Sequence, residues 1–200
     1  MKKIGIVIRS FEENDKLFVG CRKDVVDVFL NYPVEVIFIP IFLSYNQVIN
    51  LVNMCDGVVL TGGDYFLEND FLLVRYLHQK NIPTLGICLG MQAMGLTFHG
   101  KEIGVNKEIH QKTNGVHDIL IYKNTKLHHI LGMERIAVNS RHQSGIINTT
   151  LSVSARSLDG VIEAIEDKNK RFFLGVEWHP ETLPNKNSDL IFEAFIKSLE

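Results

Sequence analysis

The stretch PTLGICLGMQ at residues 83–92 runs from a buried apolar strand into an apolar helix. Between the two elements it has the form Gly-x-Cys-x-Gly, with Cys88 at its centre. This is the layout of a nucleophile elbow, a sharp strand-to-helix turn, with cysteine in the place of serine. The helix dipole and the free amides of the first helical turn are expected to favour a thiolate at Cys88. The alternative is a small buried hydrophobic residue, which is how we interpret Cys21 and Cys55.

Strand and helix patterns alternate on the amino-terminal side of this stretch. Runs rich in Val and Ile predict strands at residues 4–8, 34–39, 57–61 and 82–87, with helices between them. This alternation predicts an α/β fold with a mostly parallel central sheet flanked by helices. After residue 100 the predicted strands lie closer together, which indicates an antiparallel extension in the C-terminal half, and the polar stretch 101–115 is interpreted as a loop. A length of 200 residues predicts a single domain over 1–200.

Composition narrows the classes of partner. The chain is 46% hydrophobic and 22% charged, as in an ordinary globular protein with a large core. Its 21 Lys and Arg nearly balance its 23 Asp and Glu, so no nucleic-acid partner is expected. The apolar run after Met1-Lys2-Lys3 is too short for a signal peptide, and no stretch is long enough to span a membrane. We therefore expect a cytoplasmic protein with reduced thiols and no membrane partner.

A thiolate that attacks an acyl carbon needs a positioned imidazole, and the segment EWHPE at residues 177–181 offers one. Pro180 favours an extended conformation at His179, so Glu181 is expected beside the ring, where it would fix its tautomer. His142 is the rival base. The remaining histidines lack such a neighbour in sequence and are interpreted as structural, with no metal site and no cofactor predicted: His78, His99, His110, His117, His128 and His129.

Two glycines follow the predicted strand 57–61. The amides of Gly63 and Leu89 are candidates for an oxyanion hole, with Gly62 beside them at the substrate, although a simple tight turn is the alternative. Gln92 lies four residues after Cys88 and so shares its helix face, where an amide would suit the α-amino and α-carboxylate groups of an amino acid.

Two further segments carry polar groups toward the predicted site. Ser140, Arg141 and His142 follow a strand and could hold a carboxylate, although by themselves they would be a turn. Arg9 closes the first predicted strand, at the edge where α/β folds bind ligands. More cations follow at Lys16, Arg22 and Lys23. Together they would suit a pyrophosphate, with a solvated face as the alternative.

Taken together, residues 86–92 and 178–181 resemble the nucleophile and His-Pro-Glu motifs of the class I (triad) glutamine amidotransferase superfamily, and the resemblance covers nearly the whole chain. It implies a flavodoxin-like arrangement of the sheet and a triad of Cys88, His179 and Glu181. It also implies that Cys88 attacks the γ-carboxamide of a glutamine or γ-glutamyl group. A γ-glutamyl thioester then forms, the amine leaves, and water releases glutamate.

Residues 138–142 and 61–64 are similar to the γ-glutamyl hydrolase branch of this superfamily. At this compact length the chain looks most like the γ-glutamyl-CDP-amidate hydrolases of capsule biosynthesis. The resemblance implies a small-molecule γ-glutamyl substrate, in that case a nucleotide conjugate, and no required partner synthase. Three alternatives stay open: a glutaminase subunit that supplies ammonia to a synthase, a hydrolase of the γ-glutamyl-GABA type, and a binding module that kept the fold.

Overall fold

Five parallel strands form the centre of the fold. The computed structural model describes residues 1–111 and 116–200. The parallel strands lie in the spatial order β3 (Val34–Pro40), β1 (Lys2–Glu13), β4 (Gly57–Leu60), β5 (Thr84–Ile87) and β12 (Phe173–Val176). In chain order this is 2-1-3-4-5, the flavodoxin-like arrangement. The prediction of a mostly parallel central sheet is confirmed.

Beyond β12 the sheet continues with antiparallel strands only. In order outward they are β11 (Ile162–Glu166), β10 (Ser152–Ser157), β7 (Val116–Ile121) and β8 (Arg135–Asn139). Strand β12 is therefore the point at which the sheet changes from parallel to antiparallel pairing. The antiparallel extension expected in the C-terminal half is confirmed.

Helices cover both faces of the sheet. They are α1 (Lys23–Asp27), α2 (Tyr45–Val52), α3 (Glu68–Lys80), α4 (Leu89–Thr97), α5 (Lys107–His110), α6 (Lys126–Leu131) and α7 (Lys186–Lys197). The apolar side chains of α1, α6 and α7 belong to one core cluster, and those of α2, α3 and α4 to another. Strand β1 supplies both, because Ile4 and Ile6 point to the first cluster and Val7 to the second. In the described residues, none of the helices has the length and apolarity needed to cross a bilayer.

The first strand is longer than predicted. It does not close at Arg9 but continues to Glu13 and pairs antiparallel with β2 (Lys16–Gly20). Asn14 and Asp15 both have positive φ, of 51° and 57°, as the two central residues of a type I′ hairpin turn require. The predicted cation Lys16 is consequently on a strand, and the helix expected between the first two predicted strands is the short α1.

The stretch 101–115 is only partly a loop. Residues Lys101–Gly104 form β6, which pairs antiparallel with β9 (Ser144–Ile147) in a separate two-stranded sheet, and α5 follows. The loop interpretation is wrong for these elements, because alternating residues in such a short strand give little periodicity. Residues 112–115 lie outside the described residues.

Candidate active site

The turn from β5 into α4 is the predicted elbow. Cys88 has φ 50° and ψ −111°, a conformation that residues other than glycine rarely adopt. The flanking glycines allow close packing: a Cβ on Gly86 would lie 2.5 Å from Met94 Sδ, and one on Gly90 would overlap the Leu60 carbonyl. The sharp turn is thus held by the packing of α4 against β4 and β5.

Burial opposes a thiolate at Cys88. Its pKa is raised well above the ordinary value, first by burial and then by the charge of Glu177, while a hydrogen bond from the Leu89 backbone N–H lowers it. Of these effects on the pKa of Cys88, only the hydrogen bond from Leu89 agrees with the expectation that helix amides favour a thiolate. Burial outweighs it, so a base has to remove the proton during attack.

His179 and Glu181 follow β12, the neighbour of β5, and therefore reach the same edge of the sheet as Cys88. The Nδ1 atom of His179 lies 2.7 Å from Glu181 Oε1. Because a carboxylate only accepts, Nδ1 donates, and the lone pair of a neutral ring lies on Nε2. A Cβ on Gly62 would lie 3.3 Å from His179 Cε1 and 3.8 Å from Cys88 Cβ, so both side chains border the same small space.

Asn139 fixes the backbone of His179. Its Oδ1 accepts from the His179 N–H at 2.9 Å, and its Nδ2 donates to the His179 carbonyl at 2.9 Å and to Thr182 Oγ1 at 3.0 Å. Asn139 is not among the site residues predicted from the sequence. It is the last residue of β8 and is brought to His179 by the antiparallel extension, which local sequence cannot show.

A cavity of about 430 Å³ opens over this edge. Its inner wall includes Cys88, His179 and Glu181, and the loop after β4 contributes Gly62 and Gly63. A Cβ on Gly63 would lie 3.0 Å from Leu89 Cδ2, so the loop after β4 contacts the start of α4, and these two segments carry the candidate oxyanion amides. The outer wall consists of the β1–β2 hairpin and nearby residues, among them Phe11, Arg22 and Tyr65.

Two arginines line the cavity. Arg9 is paired with Asp70 through two contacts, Nη1 to Oδ2 at 3.0 Å and Nη2 to Oδ1 at 2.6 Å, and both side chains are almost fully buried. Its charge is therefore already balanced by Asp70, and a contact of Arg9 with a pyrophosphate stays a prediction, since Arg9 does line the cavity. Arg9 and Arg141 each have a buried Nε with no hydrogen-bond partner among the described residues, but Arg141 has no ion pair there.

Three predicted substrate contacts do not line the cavity: Gln92, Ser140 and His142. The amide of Gln92 donates to Glu177 at 2.5 Å and to the Ser144 carbonyl at 2.9 Å. Ser140 donates to the carbonyl of His110. The loop after β8 turns Ser140 and His142 into the protein interior and leaves only Arg141 of this segment at the cavity, whereas Gln92 lies on a part of α4 that is buried throughout. A contact of these three side chains with the substrate stays a prediction. His142, which also lies outside, is not placed to act as the rival base.

The sequence of this chain is similar to that of a known protein family and of curated proteins. Residues 66–181 match the family Peptidase C26. The chain is 29% identical over 234 residues to a glutamine amidotransferase-like protein of Rickettsia prowazekii, with 80% of this chain and 83% of that protein covered. It is 28% identical over 177 residues to the CTP synthase of Flavobacterium psychrophilum, covering 70% of this chain but 33% of that protein.

Among solved structures, the glutaminase domain of CTPS from Trypanosoma brucei with bound acivicin is similar, with a TM-score of 0.76 and 18% identity. That alignment covers 98% of this chain and 94% of the other. At this identity the likeness concerns the fold alone. The family match covers more than half of the chain, and the fold agrees with it. The chain therefore belongs to the Peptidase C26 family and has the fold of the class I glutamine amidotransferase-like superfamily.

Proposed function

We propose that this chain hydrolyses γ-glutamyl amide bonds through a thioester on Cys88. The observation that carries the proposal is one cavity wall that combines a thiol on a strained turn with a hydrogen-bonded His179–Glu181 pair. Membership of a family of cysteine-type hydrolases supports it. The proposed oxyanion hole consists of the backbone amides of Gly63 and Leu89.

In the proposed first half-reaction, Nε2 of His179 takes the proton of the Cys88 thiol while Sγ attacks the amide carbon. Glu181 accepts the Nδ1–H bond and stabilises the imidazolium. The developing oxyanion is held by the two amides, each worth about 10²–10³ in rate in comparable sites. The C–N bond then breaks as His179 passes its proton to the leaving amine, and a γ-glutamyl thioester remains.

In the second half-reaction, His179 removes a proton from water, which attacks the thioester. Glutamate leaves, and the thiolate of Cys88 takes the proton back. Arg141 is the proposed partner of the α-carboxylate, since it lines the cavity and its buried Nε has no protein partner in the described residues. A guanidinium presents a donor geometry that matches a carboxylate.

For the substrate we propose γ-glutamyl-CDP-amidate, which would yield glutamate and cytidine diphosphoramidate. The outer wall of the cavity supports a nucleotide conjugate, because Phe11 and Tyr65 offer aromatic surface for a base and Arg22 a guanidinium for phosphates. Arg22 pairs with Asp24 at an exposed position, so this contact needs only a small rearrangement.

A glutaminase that supplies ammonia to a synthase is the second candidate. Similarity to the CTP synthase of Flavobacterium psychrophilum and to the glutaminase domain from Trypanosoma brucei favours it. Such a protein would act on free glutamine, and its activity alone would be low until a synthase is added. The two candidates share the chemistry at Cys88 and differ in the leaving amine.

The test is glutamate release by the purified chain from γ-glutamyl-CDP-amidate, γ-glutamyl-GABA and glutamine. We expect the nucleotide conjugate to give the highest kcat/KM, and Cys88→Ala to lose at least about 10³-fold. Cys55→Ala is the matched control, because Cys55 is a partly buried thiol outside the cavity. Turnover of glutamine alone would favour the glutaminase, and full activity in Cys88→Ala would overturn the mechanism.

A further inference from the structure

Away from the cavity, three histidines and a glutamate meet in the interior. His110 ends α5, His117 lies on β7, His142 is in the loop between β8 and β9, and Glu163 lies on β11. These four residues are called the His-Glu cluster below. None of them lines the cavity, and the proposed reaction uses none of them.

The carboxylate of Glu163 is unusual because it is buried and has no hydrogen-bond donor in the described residues. Its side chain is fully buried, yet neither carboxylate oxygen has a hydrogen bond among the described residues. Glu166, on the same strand and equally buried, accepts from the backbone N–H groups of Lys126 and Leu127 and from the Ser154 hydroxyl. A buried carboxylate without donors is costly, so something else must satisfy Glu163.

The hydrogen bonds of two histidines fix which ring nitrogen carries the proton. His110 Nε2 lies 3.1 Å from Asp159 Oδ2 and must donate, because the carboxylate only accepts. His142 Nδ1 lies 2.8 Å from the Ser144 carbonyl and must donate for the same reason. When both rings are neutral, the opposite nitrogens, His110 Nδ1 and His142 Nε2, face each other at 3.1 Å with a lone pair on each.

The spacing of three members of the cluster suits one ion, because ligand atoms of His110, His117 and Glu163 all lie within 4.8 Å of one another. Four ligands at 2.0–2.1 Å from zinc lie about 3.3–3.4 Å from one another. Glu163 Oε1 is 3.4 Å from His110 Nδ1, 3.5 Å from His117 Nε2 and 3.8 Å from His142 Nε2. His117 Nε2 has no hydrogen-bond partner in the described part of the chain, so it too is available as a ligand.

The geometry points to a structural zinc site in the His-Glu cluster, with His110, His117 and Glu163 as ligands and His142 Nε2, which lies beside His110 and Glu163, as the candidate fourth. A dication would satisfy Glu163 and separate the two facing lone pairs. Asp159 and the Ser144 carbonyl already hold the outer nitrogens, as second partners of zinc-bound histidines do. The ion would tie α5, β7, β11 and the β8–β9 loop together.

The test starts with the whole chain, prepared without a polyhistidine tag. We expect about one zinc per chain by plasma mass spectrometry, and a lower unfolding temperature after chelation that added Zn²⁺ restores. Co²⁺ added to the stripped protein should give the strong visible absorption of tetrahedral coordination. A chain that holds no zinc and binds neither ion when stripped would overturn the site.

Variants then locate the ion. His117→Gln and Glu163→Gln should lose the bound zinc and the Zn²⁺-dependent rise in unfolding temperature, whereas the exposed control His99→Gln should keep both. Equal zinc in all three variants would mean an adventitious ion only and would overturn the proposal. If a cluster variant does not fold, the Co²⁺ spectrum of the wild-type chain decides: tetrahedral absorption supports the site, and octahedral absorption contradicts it. These readouts do not depend on hydrolytic activity, so they stand apart from the proposed function.

Discussion

Asn139→Ala removes the side chain that holds the backbone of His179. Three hydrogen bonds are lost, two of them to the buried N–H and carbonyl of His179 and one to Thr182. Each buried backbone group left unpaired costs about 1–3 kcal/mol, so for the two groups we expect about 2–6 kcal/mol of stability to be lost.

The catalytic effect should be on kcat. Asn139 does not line the cavity, so substrate binding and KM should change little. The imidazole, however, loses its fixed position relative to Cys88, and a displacement of about 1 Å costs roughly 10²-fold in rate. Asn139→Asp should recover only part of this loss, because a carboxylate accepts from the His179 N–H but cannot donate to its carbonyl. Glutamate release under saturating substrate, together with urea unfolding, measures both effects.

Asn69→Ala is the matched control. Its amide also bridges backbone groups, since Nδ2 donates to the carbonyls of Ile41 and Leu43 at 2.7 Å, but it lies outside the cavity lining. It should lose stability and keep kcat. If Asn139→Ala lost stability but kept kcat within about twofold, the assignment of Asn139 as a positioning residue would be refuted.

The remaining predictions concern a thiol and a buried ion pair. Because the pKa of Cys88 is raised well above its ordinary value, its thiolate fraction is small at neutral pH, and its alkylation by iodoacetamide should still be accelerating above pH 9. Peptide mass spectrometry separates Cys88 from Cys21, and a rate plateau below pH 8 would contradict the raised pKa. Asp70→Asn should cost about 3–5 kcal/mol in urea unfolding, because the Arg9 guanidinium stays buried without its counter-charge. Asp27→Asn, in an exposed pair, should change stability by less than about 1 kcal/mol, and equal losses would count against this explanation.

Local sequence was sufficient where one segment determines the result. The elbow at Cys88 needs only a strand, a helix and small flanking residues, and all three are adjacent in the chain. The pairing of His179 with Glu181 depends on a spacing of two residues, and Glu181 lies beside the ring even though a 3-10 turn begins at Pro180.

Contacts between distant segments could not be predicted in this way. Asp70 reaches Arg9 from 61 residues away, so no local pattern shows that the cation is already paired. Gln92 does lie one helical turn after Cys88, but Leu89 to Gly95 are all buried, so this part of α4 has no solvent-facing side. The His-Glu cluster requires strands β7 and β11 to come together through β10. The fold places Glu163, far away in the sequence, next to both His110 and His117.

The β1–β2 hairpin forms part of the outer wall of the cavity but carries none of the residues proposed to cleave the bond. Its strand β2 pairs with β1 only, and the stacked rings of Phe11 and Phe18 form an apolar surface on it, with centroids 5.8 Å apart. Cys88 and His179 follow two other strands, β5 and β12. Exchange of residues 10–20 between relatives would thus alter which molecule is accepted while leaving bond cleavage intact, so this arm is the natural place for a protein engineer, or for evolution, to diversify selectivity.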